Sequence, residues 1–259
     1  MIPGQDAGLP PLTRRLLGWE IVVVFAVSLG GSALFAIINL AGSLTAHKAL
    51  GRQHALLVGS LAPGRPLLDL TLQLASITVT LAPVALVFYL MARSGEPPSA
   101  MGLDTTRPAS DMARGAALAA IIGGLGLGLY LAAFHAGLSL NVVPENLPAV
   151  WWRTPVLILD AFQNGILEEI LVVGYLLRRL DQLGWSPARA VTLSAVLRGS
   201  YHLYQGFGGF AGNAAMGAVF GILYRRWGRV TPLIIAHTLI DGVAFVGYAV
   251  LRGRVSWLP

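Results

Sequence analysis

Long apolar runs alternate with short polar joints along this chain, and that rhythm predicts its elements before any motif is read. Seven runs approach or exceed the roughly 20 residues that a helix needs to cross a bilayer. They fall at about 19–45, 67–92, 112–139, 154–177, 188–204, 208–225 and 231–252. The fifth and sixth are short and meet at Gly206–Gly209, where the glycines predict a turn, with a hinge for a gate as the alternative. Arg14 and Arg15 precede the first run in the manner of a signal peptide, but its apolar stretch is too long for an h-region, so it reads as a retained helix. The first twelve residues, rich in Pro and Gly, read as a loose tail. The pattern divides the chain into a tail (1–18), a set of N-terminal transmembrane helices (19–150), a C-terminal helical core (151–252) and a short tail (253–259). The expected fold class is all-α, a polytopic membrane protein of about seven transmembrane helices, with six to eight as the range.

Composition agrees with that picture. Hydrophobic residues make up 55% of the 259 and charged residues 12%, with a mean hydropathy of +0.69. Soluble domains carry about twice that charge density. The net charge of +6 raises the question of nucleic acid. The basic residues, however, sit in short clusters between apolar runs, which is a topology signal and excludes a nucleic-acid partner. No cysteine is present, which removes disulfides and thiolate chemistry.

A cytoplasmic N-terminus places Arg14, Arg15, Arg93, Arg107, Arg114, Arg178, Arg179, Arg189, Arg225, Arg226 and Arg229 inside. Lys48, Arg52, Arg65, Arg153, Arg252 and Arg254 then lie outside. That bias predicts an N-in, C-out protein. The preference for Arg over Lys, with much Ala and Gly, fits a GC-rich bacterial genome and hence a bacterial cytoplasmic membrane. Gly124 with Gly128, and Gly217 with Gly221, have the small-xxx-small spacing of packed membrane helices. No sequence repeat marks two inverted halves.

Polar groups inside the apolar runs carry the candidate chemistry. Glu168 and Glu169 stand side by side in the fourth run. A charge at bilayer depth costs at least about 2.5–3.5 kcal/mol, so such groups face a polar cavity or one another. Asp160, Asn164 and Glu168 follow at four-residue steps and share one helix face. In the fifth run, Arg198 and His202 are four apart beside Tyr201 and Tyr204, tyrosines that also suit an interfacial belt. In the seventh, His237 and Asp241 are four apart. His47, His54 and His135 lie in a loop or near a helix end and read as non-catalytic. The clusters together supply what activates a water: a base, orienting groups and an electrophilic stabiliser or a metal. The alternative is a buried structural network between helices. Depth opposes one site. Counted from the cytoplasmic ends, Glu168 lies about 15 Å in, His237 about 9 Å and His202 about 21 Å.

The stretches "EEILVVGYLLRRL", "SYHLYQG" and "HTLID" resemble the motifs of the CPBP family of intramembrane proteases. That family includes the CAAX prenyl endopeptidases and the bacterial Abi proteins. Its pattern is a Glu-Glu pair followed after two residues by an aromatic, Arg and Gly, then Phe-x-x-x-His, then His-x-x-x-Asn or Asp. The likeness covers about residues 155–250. It implies an Abi/CAAX-protease-like helical bundle with a catalytic core in the C-terminal half. It implies Glu168 as the base, Glu169 as its support, His202 sharing the water or a metal, and His237 and Asp241 stabilising the oxyanion or completing the metal site. The family has been described both as zinc-dependent and as a metal-free glutamate protease. Zinc, if bound, would fall to Glu168, His202, His237 and Asp241.

Two positions depart from the pattern. Val173 stands where it has Arg, and Arg198 where it has Phe. One reading joins them: Arg198 supplies from a neighbouring helix the guanidinium that Val173 lacks, pairing with Glu169. Asp241 in place of Asn favours a metal or the orientation of His237, because an ionised Asp only accepts hydrogen bonds.

The expected activity is hydrolysis of a peptide bond in a membrane-associated peptide or protein. The other partners are membrane lipids, and nothing marks the substrate as prenylated. A non-enzymatic scaffold or immunity protein is the first rival. An ion- or proton-coupled transporter is the second, disfavoured because the polar groups are confined to one half.

Overall fold

The computed structural model describes residues 13–255, so the twelve-residue stretch read as a loose tail and the last four residues lie outside it. Among the described residues the chain is all-α apart from one two-stranded parallel pair. Its helices are α1 (Arg14–Ala26), α2 (Leu29–Thr45), α3 (Pro66–Thr80), α4 (Ala82–Arg93), α5 (Pro108–His135), α6 (Arg153–Glu168), α7 (Leu176–Gln182), α8 (Pro187–Tyr201), α9 (Phe207–Trp227) and α10 (Thr231–Leu251). Residues Glu169–Tyr175 form a π-helix that joins α6 to α7 without a break. Strands β1 (His54–Val58) and β2 (Asn141–Glu145) pair in parallel, His54 opposite Asn141. The N-terminal half is therefore not helices alone, and α1 begins at Arg14, within the stretch expected as a tail (1–18).

Two of the expected single helices are broken, for reasons in the side chains. The first bends by 50° between Ala26 and Leu29. There Ser28 Oγ donates to the Val24 carbonyl at 2.5 Å and competes with the backbone ladder. The second divides at Leu81, where Pro83 removes a donor from the first turn of α4. Among the described residues four helical stretches are long and apolar enough to cross a membrane: 66–93, 108–135, 207–227 and 231–251. The bent pair makes five. The stretch 153–182 carries too many charged groups to read as a simple span, and α8 has only 15 residues.

Burial runs opposite to that of a soluble domain. Leu125 and Val243 are each 72% exposed, while Glu169 and Arg198 are fully buried. Apolar surface faces outward and charge faces inward, the arrangement of a protein solvated by lipid. Every residue of the π-helix is buried. Its sequence is apolar around the whole circumference after Glu169, as a helix surrounded by others must be. Val172, Val173, Leu176 and Leu177 form the centre of the larger core, with Phe25, Val87, Met101, Phe220 and Leu233 around them. A smaller core of Trp152, Leu157 and Phe245 lies with Val58 of β1 and Leu147, at the other end of the bundle.

Close approaches fix the helices that carry the polar groups. A Cβ on Gly165 would lie 2.6 Å from Thr238 Oγ1, so α6 meets α10 only because that position is glycine. A Cβ on Gly217 would lie 3.1 Å from Arg198 Cδ, and Gly221 is closed in by Val191. That glycine pair does pack helices, as its spacing predicts. Gly124 and Gly128 do not: open space surrounds both. At Gly206, φ is +98° and the backbone bridges Ser139, which fixes this glycine as a pinned turn.

Candidate active site

The site is built where the π-helix begins. Glu168 ends α6, Glu169 opens the π segment, and three other helices converge on them. Arg198 of α8 donates from Nη2 to Glu169 Oε1 at 2.5 Å, and its Nη1 lies 3.6 Å from Glu168 Oε2. One guanidinium thus spans both carboxylates. Its face rests on the Phe220 ring at 5.5 Å. The glycine at 217 leaves room for its stem. The pairing expected from the Val173 and Arg198 substitutions is formed.

Tyr201, one turn further along α8, donates its hydroxyl to Glu168 Oε2 at 2.7 Å. Sequence reasoning left this residue as a candidate for an interfacial belt. Its position three residues after Arg198, on the same helix face, was the available signal. From α10, His237 Nδ1 lies 2.7 Å from Glu169 Oε1. An ionised carboxylate can only accept, so Nδ1 carries the proton and Nε2 turns toward Asp241, 3.6 Å from its Oδ2. Asp241 accepts from Asn164 Nδ2 at 3.1 Å, which ties α6 to α10 across the mouth of the site.

His202 caps α8 and donates from Nδ1 to the Arg198 carbonyl at 2.9 Å, leaving Nε2 as its free nitrogen. Its ring lies 4.7 Å from that of Tyr201. Among the described residues no direct bond joins His202 to either glutamate. Several buried polar atoms have no partner: Glu169 Oε2, Arg198 Nη1 and Nε, and Thr238 Oγ1. In a closed protein interior such atoms are costly and mark places for water or a reacting group.

The depth conflict is resolved by two corrections. The fourth helical stretch continues to Gln182, beyond the apolar run, because its terminal charges are neutralised. Arg179 is held by Glu96 and lies 3.4 Å from Glu20, and Arg225 meets Asp181. Glu168 therefore lies about 21 Å from that end, level with Tyr201 counted from Pro187. The start of α10 is itself sunk into the protein, with Val230 and Leu233 fully buried, which lowers His237 to the same layer.

The residues expected to hold zinc, if it is bound, are Glu168, His202, His237 and Asp241. Among the described residues no group of three or more His, Asp and Glu side chains could hold an ion. His237 Nδ1 meets Glu169 and His202 Nδ1 a carbonyl, which leaves Nε2 of each ring as the nitrogen that a ligand could reach.

Residues 150–243 match the family model described as type II CAAX prenyl endopeptidase Rce1-like. The matched segment is similar to that family. The match agrees with the likeness to the CPBP family and supports, in general terms, an intramembrane CAAX-type protease. With the apolar helices, it identifies an integral membrane protein. The matched segment holds all seven residues of the site from Glu168 to Asp241, Tyr201 included, and everything before residue 150 lies outside the match. No curated protein and no solved structure matches the chain.

Proposed function

We propose that the protein is an intramembrane endopeptidase in which Glu168 activates a water against a peptide bond of a membrane-associated substrate. The observation that carries this reading is the double anchoring of the glutamate pair. Arg198 and His237 engage Glu169, while Tyr201 and Arg198 orient Glu168 through Oε2. Among the described residues Glu168 Oε1 is left without a bond and is free to accept from water.

In this scheme the water proton passes to Glu168 as the water oxygen bonds the scissile carbonyl carbon. The carbonyl electrons move to its oxygen. Arg198 Nη1, which has no hydrogen-bond partner in the resting site, stabilises that oxyanion, and His237 supports it by holding Glu169 in place. Collapse of the intermediate breaks the C–N bond, and the proton held by Glu168 goes to the leaving amine. Glu169 takes no proton; it anchors the guanidinium and the imidazole. Asp241 and Asn164 hold His237 in register. His202 Nε2 is the remaining acceptor at the edge and orients the water. Metal-assisted hydrolysis by Glu168, His202, His237 and Asp241 is the competing scheme, and it requires these side chains to regroup on an ion. Metal analysis of the purified protein separates the two. About one zinc per chain, lost in His202→Ala and in His237→Ala, would favour the metal scheme.

The membrane orientation proposed with this function is N-terminus inside, in a bacterial cytoplasmic membrane. The test of the function is cleavage of a defined set of hydrophobic peptides in proteoliposomes, with products identified by mass spectrometry. Products made by the native protein and absent with Glu168→Gln support the proposal. Biological activity that survives Glu168→Gln would favour the scaffold reading.

A further inference from the structure

Helix α8 has two faces. One is buried: Arg198 reaches the glutamates and Ser194 Oγ donates to the Val172 carbonyl at 2.8 Å. The other carries a shallow groove lined by Trp185, Ala188, Arg189, Thr192, Leu193 and Val196. These residues follow at steps of three and four, so the groove runs along the helix for about 10 Å beyond Arg189. Trp185, Leu193 and Val196 are exposed. The groove is apolar along its length and cationic at one end.

That end is short of negative charge. Acids on the same side of the chain by the expected topology are already bound: Asp181 by Arg225, Glu96 by Arg178 and Arg179, Asp104 and Asp111 by Arg229. Arg189 has no carboxylate within ion-pair distance among the described residues. It also sits in the first turn of α8, where the helix end is positive and acidic side chains are absent. Arg14 adds a second guanidinium nearby: a Cβ on Gly184, next to Trp185, would lie 3.3 Å from its Nη2.

We propose that this groove holds one anionic phospholipid of the leaflet at the arginine-rich end. The headgroup phosphate meets Arg189, the Trp185 indole lies at headgroup level, and an acyl chain lies along Thr192, Leu193 and Val196. Charge complementarity selects this occupant over a neutral apolar helix, which would leave Arg189 uncompensated. The assignment does not depend on the protease reading.

Native mass spectrometry of the full chain in detergent, titrated with phosphatidylglycerol or phosphatidylcholine, tests it. Phosphatidylglycerol is retained in preference to phosphatidylcholine. Arg189→Gln lowers that retention about five-fold, since a basic side chain near anionic headgroups contributes roughly 1 kcal/mol. Arg189→Lys keeps most of it. Val196→Trp, which fills the groove and leaves the charge alone, lowers retention of both lipids. Arg93→Gln, at an exposed arginine of the same end, leaves it unchanged. All these side chains are on the outer surface, and a thermal melt confirms the fold of each variant. Equal retention of the two lipids by the native protein, or a loss in Arg93→Gln equal to that in Arg189→Gln, overturns the proposal.

Discussion

At the scale of the residue, the account turns on one guanidinium that bridges two buried carboxylates. Removing one partner of a buried pair leaves an uncompensated charge and costs about 3–5 kcal/mol. Arg198→Ala is therefore expected to lower stability by that order and to abolish activity. In a double-mutant cycle, Arg198→Met with Glu169→Gln is more stable than Arg198→Met alone, as thermal melts in detergent would show. Val173→Arg in the Arg198→Ala background restores part of the activity; a fully active Arg198→Ala protein with no effect of Val173→Arg rules the exchange out. Tyr201→Phe removes a hydrogen bond to a carboxylate and lowers the turnover rate roughly 10–100-fold without unfolding the protein. The Glu169–Arg198 pair was legible because a buried acid needs a cation and only one arginine lies deep in an apolar run. Tyr201 was not, because a tyrosine near a helix end has an equally good reason to sit at an interface.

At the scale of the element, the site depends on irregular backbone and on absent side chains. The π-helix begins at Glu169, and insertions of this type recur at functional sites because they redirect the side chains around them. No sequence signal marks i→i+5 bonding, so the reading from periodicity carried an ordinary helix through 169–175. The break at Ser28 was hidden for the same reason: hydropathy sees one apolar run where a hydroxyl bonds the turn before it. Gly217 and Gly221 were legible from their spacing, but that spacing alone could not separate them from Gly124 and Gly128, which meet nothing. Gly217→Leu is expected to push Arg198 from its seat, costing about 1–3 kcal/mol of stability together with activity, while Gly124→Leu is neutral in both assays.

The loop between α4 and α5 is fastened by charge. Burial raises the Glu96 carboxyl, but the Arg178 hydrogen bond and the charges of Arg179 and Arg178 outweigh it and hold the group below its ordinary value. Hydrogen bonds from Arg229 and Thr106 hold Asp104 well below the usual carboxylate range. A depressed carboxyl contributes stability that is complete above its unfolded value near pH 4 and is lost as pH falls through the folded value. Acidification below about pH 4 is therefore expected to lower the melting temperature. Asp104→Asn and Glu96→Gln should each flatten that dependence.

At the scale of the molecule, the inverted burial is what makes the chemistry possible. Lipid takes the apolar surface, and the interior is left for two glutamates, an arginine and a histidine that a soluble core of this size would have no cause to hold. This inversion was legible from composition alone. Composition does not set the count of crossings: about seven are expected from the apolar runs, and the described residues hold four stretches long and apolar enough to cross, or five with the bent pair. Reporter fusions after Lys48 and after Arg254 are expected to report the outside of the membrane for both. A cytoplasmic signal at either contradicts the orientation.

The most direct test of the central claim is cleavage of hydrophobic peptides in proteoliposomes by the native protein beside Glu168→Gln. The account predicts peptide-bond hydrolysis, with oxygen from labelled water in the new carboxyl group, and its loss in the variant. The same products from both proteins would contradict the assignment of Glu168 as the base, and no product from either would contradict the protease itself.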